Sequence, residues 1–256
     1  MLRSLIWKRS QAYSSVVTMS SISQRGNERL LSEVAGSHSR DNKILVLGGN
    51  GYVGSHICKE ALRQGFSVSS LSRSGRSSLH DSWVDDVTWH QGDLLSPDSL
   101  KPALEGITSV ISCVGGFGSN SQMVRINGTA NINAVKAAAE QGVKRFVYIS
   151  AADFGRATEA EILDKFGNRG SVLRPGFIHG TRQVGSIKLP LSLIGAPLEM
   201  VLKLLPKEVT KIPVIGPLLI PPVNVKSVAA TAVKAAVDPE FASGVIDVYR
   251  ILQHGH

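Results

Sequence analysis

The sequence predicts an α/β protein with a doubly wound parallel sheet, and three observations carry that prediction. Short apolar stretches of strand length alternate with amphipathic stretches of helical length from Lys43 onward. Glycines follow the first apolar stretch with the spacing G-x-x-G-x-x-G. The chain has 256 residues, of which 43% are hydrophobic and 19% charged, so it can form one large domain. We also expect a small C-terminal lid or substrate region and a disordered N-terminal extension.

Residues 1–42 have the composition of a targeting segment. The first 27 residues contain no Asp or Glu and are rich in Ser, with scattered Arg and Lys. This composition is typical of an organelle transit peptide. We therefore predict a mitochondrial protein, in the matrix or on the matrix face of the inner membrane. A plastid is the less favoured alternative, and a merely disordered tail is the third.

The net charge of +8 invites a nucleic-acid interpretation, but its distribution argues against one. Residues 1–42 carry +3 of that charge, and the remaining +5 includes no run of five like charges. Aromatic residues make up only 5% of the chain, which disfavours base stacking. The two cysteines, Cys58 and Cys113, lie far apart without a metal or redox spacing, so we expect inert thiols and no metal site.

The first predicted unit is "KILVLGGNGYVGSHICKEALRQG", a strand, a glycine turn and a helix. Gly48 permits the tight turn, Gly51 lets the backbone approach a pyrophosphate, and Gly54 lets the helix lie close to the strand. The N-terminus of the helix then offers N–H groups and a positive dipole end to the phosphates. The unit predicts a dinucleotide site.

The second strand predicts which dinucleotide is preferred. An NAD site places Asp or Glu at the end of this strand to hold the ribose hydroxyls. Here "SLSRSGR" places Arg73 between two serines instead, which suits a 2′-phosphate. We therefore expect NADP in preference to NAD, bound non-covalently. The third strand, "VTWHQGDLL", ends at Asp93, where a side chain could meet the adenine edge.

The next elements continue the alternation. Ser96 and Pro97 mark the start of a helical segment. The fourth strand, "ITSVISCVGGFG", ends in Gly115 and Gly116, which would let a cofactor lie against the backbone. The helix "VRINGTANINAVKAAAEQGV" leads to the fifth strand, "KRFVYIS". Short crossovers of this kind produce a parallel sheet.

These residues resemble the extended and atypical short-chain dehydrogenase/reductases, which have a Rossmann fold. The resemblance rests on "GGNGYVG", "GDLL", "VGG", "NGTANINAVKAA", "FVYISAAD" and "LRPGFIHGTR", which occur in family order between Lys43 and Arg182. The chain looks most similar to the mitochondrial branch, which holds the complex I 39-kDa-type subunit and relatives linked to coenzyme Q synthesis. The resemblance implies a set of cofactor-binding residues: Gly48, Asn50, Gly51, Tyr52, Val53 and Gly54 at the pyrophosphate turn, Arg73 at the adenosine ribose, Asp93 and Leu94 at the adenine, Val114 and Gly115 beside the sugar, Pro175 near the nicotinamide, and Ser150 at the active-site serine.

The catalytic pair of that family is absent. Its Tyr-x-x-x-Lys motif follows the serine by about a dozen residues, and the lysine lowers the pKa of the tyrosine so that it can exchange a proton. The residues four positions after the tyrosines, in chain order, are Val17, His56, Ala152 and Gln253. We therefore predict no catalytic residue, a vestigial Ser150 and negligible hydride transfer.

The sequence after Ser150 permits two explanations for the missing Tyr-x-x-x-Lys motif. "RATEAEILDKF" resembles the part of the catalytic helix that follows the lysine, yet it comes directly after "SAADFG". Either the intervening segment was lost in a variant transcript or gene model, or the chain is a natural nucleotide-binding protein without catalysis.

We divide the chain into three parts. They are a transit or disordered segment, residues 1–42, a cofactor-binding core, residues 43–182, and a lid with closing elements, residues 183–256.

Three functions stay open at this level. The first is a cofactor-binding structural or assembly protein in mitochondrial quinone or complex I biology, with an inner-membrane complex or a lipid or quinone surface as partner. The second is an NADP-dependent oxidoreductase acting on a small or lipid-like carbonyl, represented here by a truncated variant. The third, RNA binding, is disfavoured by the charge pattern. The apolar segment Leu189–Val223 could cap the domain or form a pocket for a lipid-like partner.

Overall fold

Seven parallel strands form the central sheet of the computed structural model, which describes residues 42–116, 118–150, 155–184, 187–190, 200, 202, 220–241 and 243–255. The strand order is β11-β6-β5-β4-β1-β2-β3. The strands of this sheet are β1 (Lys43–Leu47), β2 (Ser67–Ser72), β3 (Val87–Gln91), β4 (Ser109–Ser112), β5 (Arg145–Ile149), β6 (Gly170–Arg174) and β11 (Gly244–Asp247). The predicted doubly wound fold is confirmed.

Helices connect the strands. They are α1 (Tyr52–Arg63), α2 (Lys101–Leu104), α3 (Asn120–Met123), α4 (Ala130–Glu140), α5 (Arg156–Phe166), α6 (Val225–Val237) and α7 (Val248–His254). A π-helical segment, Val124–Thr129, joins α3 to α4, and 3-10 turns span Ser82–Asp86, Pro97–Leu100 and Gly167–Arg169. No helix in these ranges is long and apolar enough to cross a bilayer.

Alternate residues of β1 face opposite sides of the sheet, which places the helices in two layers. Ile44 and Val46 pack into one core with residues of α1, α6 and α7, and Leu45 and Leu47 pack into the other with residues of α2, α4 and α5. All four side chains are buried. The near-continuous apolar run of β1 follows from this burial on both faces.

Smaller strands lie outside the main sheet. They are β7 (Ile178–His179), paired in parallel with β10 (Val223–Asn224), and the antiparallel hairpin β8 (Thr181–Val184) and β9 (Ile187–Pro190). Strand β11 comes from the predicted C-terminal region yet pairs with β6 in the main sheet. The predicted boundaries at residues 42 and 182 stay predictions. Residues 191–199 and 203–219, where we placed most of the apolar lid, and the transit segment lie outside the described residues.

Candidate dinucleotide site

A cavity of about 710 Å³ opens at the carboxyl ends of β1, β2, β3 and β4. Strand β1 pairs with β2 on one side and with β4 on the other, so the order of the sheet reverses at this point. Ligands of open α/β sheets bind in the crevice at such a switch point. Eight of the thirteen predicted cofactor-binding residues line the cavity: Gly48, Asn50, Gly51, Arg73, Asp93, Leu94, Val114 and Gly115.

The glycine turn lies at the centre of the cavity wall. Gly48 has φ +84°, a left-handed conformation that favours glycine, and its N–H donates to the Leu71 carbonyl over 2.9 Å. The Gly51 N–H donates to the Gly48 carbonyl over 3.0 Å. A Cβ on Gly54 would collide with that same carbonyl. The turn therefore needs glycine at the first and third positions of the motif, for different steric reasons.

Tyr52, Val53 and Gly54 form the first turn of α1, whose N-cap is Gly51. A helix begins with N–H groups that have no partner within the helix, and these groups, with the dipole, favour a phosphate. The ring of Tyr52 lies edge-on to His56, with centroids 5.5 Å apart, and a Cβ on Gly180 would approach the Tyr52 hydroxyl. The ring of Tyr52 therefore packs against neighbouring residues, and only the backbone of Tyr52 is part of the first turn of α1.

Arg73 and Asp93 are the charged residues that line the cavity at the ends of β2 and β3. Arg73 follows β2 and is exposed, with Ser72 and Ser74 beside it on the cavity wall. Asp93 follows β3, and its Oδ1 accepts a hydrogen bond from the Leu95 N–H over 3.0 Å. This contact holds the carboxylate against its own loop.

Two asparagines that sequence reasoning missed hold the β4 end of the cavity. The Asn127 side chain accepts from the Gly116 N–H over 2.9 Å and donates to the Gly116 carbonyl over 3.1 Å. Asn131 donates to the Val114 carbonyl over 2.9 Å and accepts from the Ser112 hydroxyl over 2.6 Å. Both side chains are buried. Two asparagines four residues apart in an alanine-rich helix were the available signal, since both lie on one helical face.

The π-helical segment ties this wall to the neighbouring elements. The Asn127 carbonyl, which lies within the segment, accepts hydrogen bonds from Thr158 Oγ1 over 3.0 Å and from the Tyr148 hydroxyl over 3.3 Å. Burial, with the nearby Glu159 carboxylate, raises the pKa of Tyr148 to about 12. A buried phenol with this pKa and a backbone partner is a poor proton donor for a substrate.

Ser150 follows β5 and is engaged in a buried network. Its hydroxyl donates to Glu159 Oε1 over 2.6 Å, and Arg174 donates to both oxygens of that carboxylate, through Nε at 3.0 Å and through Nη2. Glu159 is only 4% exposed. Burial raises the pKa of Glu159, but the hydrogen bonds from Arg174 and Ser150 outweigh it and hold that pKa below 4.5. Pro175 follows Arg174 directly, so this network borders the predicted nicotinamide position.

Comparison with known proteins identifies the family of this chain. A family profile described as NAD(P)H-binding matches residues 48–177. The uncharacterized chloroplastic protein At1g32220 of Arabidopsis thaliana is 42% identical over 221 residues, which cover 79% of this chain and 74% of that protein. Photosystem II assembly factor Ycf39 of Synechocystis sp. is 32% identical over 110 residues, 42% of this chain and 33% of that protein.

A crystal structure supports the fold. The Bordetella bronchiseptica enzyme WbmG, solved in complex with NAD, superposes with a TM-score of 0.56 at 16% identity, covering 80% of this chain and 72% of that chain. The match to the NAD(P)H-binding family confirms the predicted dinucleotide cofactor at the level of NAD(P). The mitochondrial localisation predicted from residues 1–42 is wrong, because the relative that matches most of the chain is chloroplastic. A composition poor in acids and rich in Ser is shared by both kinds of transit peptide, so composition alone chose the wrong organelle.

Proposed function

This chain belongs to the NAD(P)H-binding Rossmann-fold family of atypical short-chain dehydrogenase/reductase-like proteins, and we propose that it binds its dinucleotide without transferring hydride. In this proposal the cofactor is a structural or regulatory ligand. The glycine turn and the first turn of α1 hold the pyrophosphate, Arg73 lies at the adenosine ribose, and Asp93 with Leu94 lies at the adenine.

The observation that carries the proposal is the hydrogen bond from Ser150 to Glu159. A hydroxyl that assists carbonyl reduction must be free to donate to the substrate oxygen. The single hydrogen of Ser150 is instead committed to a buried carboxylate, which Arg174 keeps ionised. The chain also lacks a tyrosine followed by a lysine at the fourth position. Both features remove a proton donor from the nicotinamide end.

A second candidate is an oxidoreductase of which this chain is a shortened form. The observation in its favour is the position of α5, which begins at Arg156, six residues after Ser150. A segment carrying Tyr-x-x-x-Lys could have stood between them. A longer natural form that contains such a segment and consumes NADPH with a carbonyl substrate would support this candidate.

We also propose a plastid location and a role in assembling a protein complex. The chloroplastic relative supports the location, and the relationship to a photosystem II assembly factor supports the role. Residues 1–42 fused to a fluorescent protein should enter plastids in plant cells. Accumulation in mitochondria would contradict this part of the proposal.

The central test combines binding with turnover. The purified protein is titrated with NADPH and with NADH by nicotinamide fluorescence and calorimetry, and absorbance at 340 nm is then followed with a panel of aldehydes and ketones. We expect saturable binding of at least one dinucleotide and no consumption above the protein-free rate. Sustained turnover with any carbonyl would refute the non-catalytic proposal, and absence of binding would refute the cofactor role.

A further inference from the structure

The turn that follows β2 is held in place by a side chain from the glycine turn. Asn50 Nδ2 donates to Ser72 Oγ over 3.1 Å and to Ser74 Oγ over 2.7 Å. The turn closes on itself through the Gly75 N–H, which donates to the Ser72 carbonyl over 3.2 Å, and Gly75 has φ +70°. On the far side, Gln91 Nε2 donates to the Arg73 carbonyl over 3.1 Å. Gly75, Gly92 and Gln91 therefore hold the backbone of the turn, and Asn50 holds the hydroxyls of its two serines.

The hydroxyl hydrogens on this turn have different partners. A serine hydroxyl has one hydrogen to donate and can accept two. Ser72 uses its hydrogen on the Gly75 carbonyl, 2.8 Å away. Ser74 is exposed and accepts the amide hydrogen of Asn50, so its own hydrogen can donate to a group in the cavity. Asn50 thus fixes a donor at the cavity wall beside Arg73.

The charges around this donor favour an anion. Arg73 is exposed and lines the cavity, and no carboxylate of the described residues forms an ion pair with it. The neighbouring cation, Arg76, is already paired with Asp85. Asp93 lines the same cavity, but one of its oxygens is held by the Leu95 N–H. A guanidinium beside a fixed hydroxyl donor is a suitable environment for a phosphate.

We propose that Asn50 is the positioning residue that makes this chain select NADP(H) over NAD(H), by fixing the Ser74 hydroxyl beside Arg73 at the 2′-phosphate. This inference rests on the proposed dinucleotide function. The two nucleotides share every other group, so a residue that acts on the 2′-phosphate alters the ratio of their affinities. A residue that only supports the glycine turn alters both affinities together.

The test measures dissociation constants for NADPH and NADH by calorimetry in the wild type, in Asn50→Ala, Asn50→Asp and Ser74→Ala, and in the double variant Asn50→Ala with Ser74→Ala. We expect the wild type to prefer NADPH and Asn50→Ala to lower that preference about tenfold, since a charge-assisted hydrogen bond is lost. Asn50→Asp should lower it further, because a carboxylate would accept the Ser74 hydrogen, taking it from the cavity, and would repel the phosphate. Asn50→Ala combined with Ser74→Ala should cost no more than either alone, because the two residues act as one unit.

Asn133→Ala is the matched control. Asn133 donates through its amide to the Leu94 carbonyl over 3.0 Å, on the adenine side, where both nucleotides are identical. This variant should leave the NADPH-to-NADH ratio unchanged. If Asn50→Ala fails to fold, Ser74→Ala carries the test. Because the Ser74 side chain is exposed, this substitution removes only the hydroxyl donor.

The outcomes separate this inference from the function on which it rests. A wild type that binds neither nucleotide would remove the proposed function. A wild type that binds both equally, or variants at Asn50 and Ser74 that keep the wild-type ratio, would overturn the inference alone and leave a non-selective dinucleotide-binding protein.

Discussion

Ser150 and Glu159 share a hydrogen bond of 2.6 Å in the buried space between β5 and α5. The carboxylate also receives a bidentate contact from Arg174, so its charge is balanced by a guanidinium that remains partly exposed. The serine that matches the active-site position therefore serves the packing of α5 against the sheet.

Replacing Glu159 with Gln should destabilise the protein. The amide keeps the shape but removes the charge that balances Arg174, and breaking a buried ion pair on one side costs up to about 3–5 kcal/mol. Because Arg174 can reach water, we expect a smaller loss in the free energy of unfolding, about 2 kcal/mol. Urea denaturation followed by circular dichroism measures it. Glu161→Gln, on the same helix, is the control and should cost under about 0.5 kcal/mol; equal effects would contradict this account.

The contribution of Glu159 should also depend on pH in a defined direction. Its pKa in the folded protein lies below the ordinary 4.5, so its ionised form is favoured by folding. The stabilisation is therefore complete above pH 4.5 and is lost as the pH falls through the folded-state pKa. The difference in unfolding free energy between wild type and Glu159→Gln should be constant from pH 6 to pH 8 and shrink in acid. A difference that grows in acid would show that the carboxyl is protonated when folded.

The two cysteines should resist alkylation in the native state. Burial raises the pKa of Cys58 to about 12 and that of Cys113 even further, so at pH 8 about one Cys58 in ten thousand is a thiolate. We expect iodoacetamide to label both sites in urea and neither in buffer, as measured by mass spectrometry of peptides. Cys113 is half-buried and lines the cavity, so rapid native labelling there would show that its pKa is not raised in solution.

Local patterns in the sequence predicted the strands and the glycine turn, because these depend on neighbouring residues. Periodicity placed β1 and α1, and glycine spacing identified the turn between them. The Glu159 network escaped prediction because the partners of Glu159 lie 9 and 15 residues away in the sequence. The hydrogen bond from Asn50 to Ser74 joins residues 24 positions apart in the sequence and was missed for the same reason. Polar contacts between distant helices and strands leave no repeating pattern in the sequence, so a single sequence does not reveal them.

Replacing Asn131 should lower both the stability of the protein and its affinity for dinucleotides. Replacing it with Ala leaves the Val114 carbonyl and the Ser112 hydroxyl without their partner in a buried site. Each unsatisfied buried group costs about 1–3 kcal/mol, so we expect a loss of about 3 kcal/mol in unfolding free energy. The cavity wall at β4 should loosen as well, and affinity for both dinucleotides should fall together. Urea denaturation and calorimetry measure the two effects; an unchanged stability would mean that water replaces the amide.

Gly54→Ala tests whether the glycine turn is the binding surface. The new Cβ would press on the Gly48 carbonyl, which belongs to the turn itself, so the turn must shift to accommodate it. We expect affinity for NADPH and NADH to fall at least about tenfold, because a turn displaced by this backbone clash no longer matches the pyrophosphate. Gly128→Ala is the matched control, since a Cβ there meets nothing within 4 Å and the added methyl restricts the unfolded chain. That variant should keep its affinity and be at least as stable as the wild type, as measured by calorimetry and thermal unfolding. If Gly54→Ala binds both dinucleotides as the wild type does, the pyrophosphate does not lie on this turn.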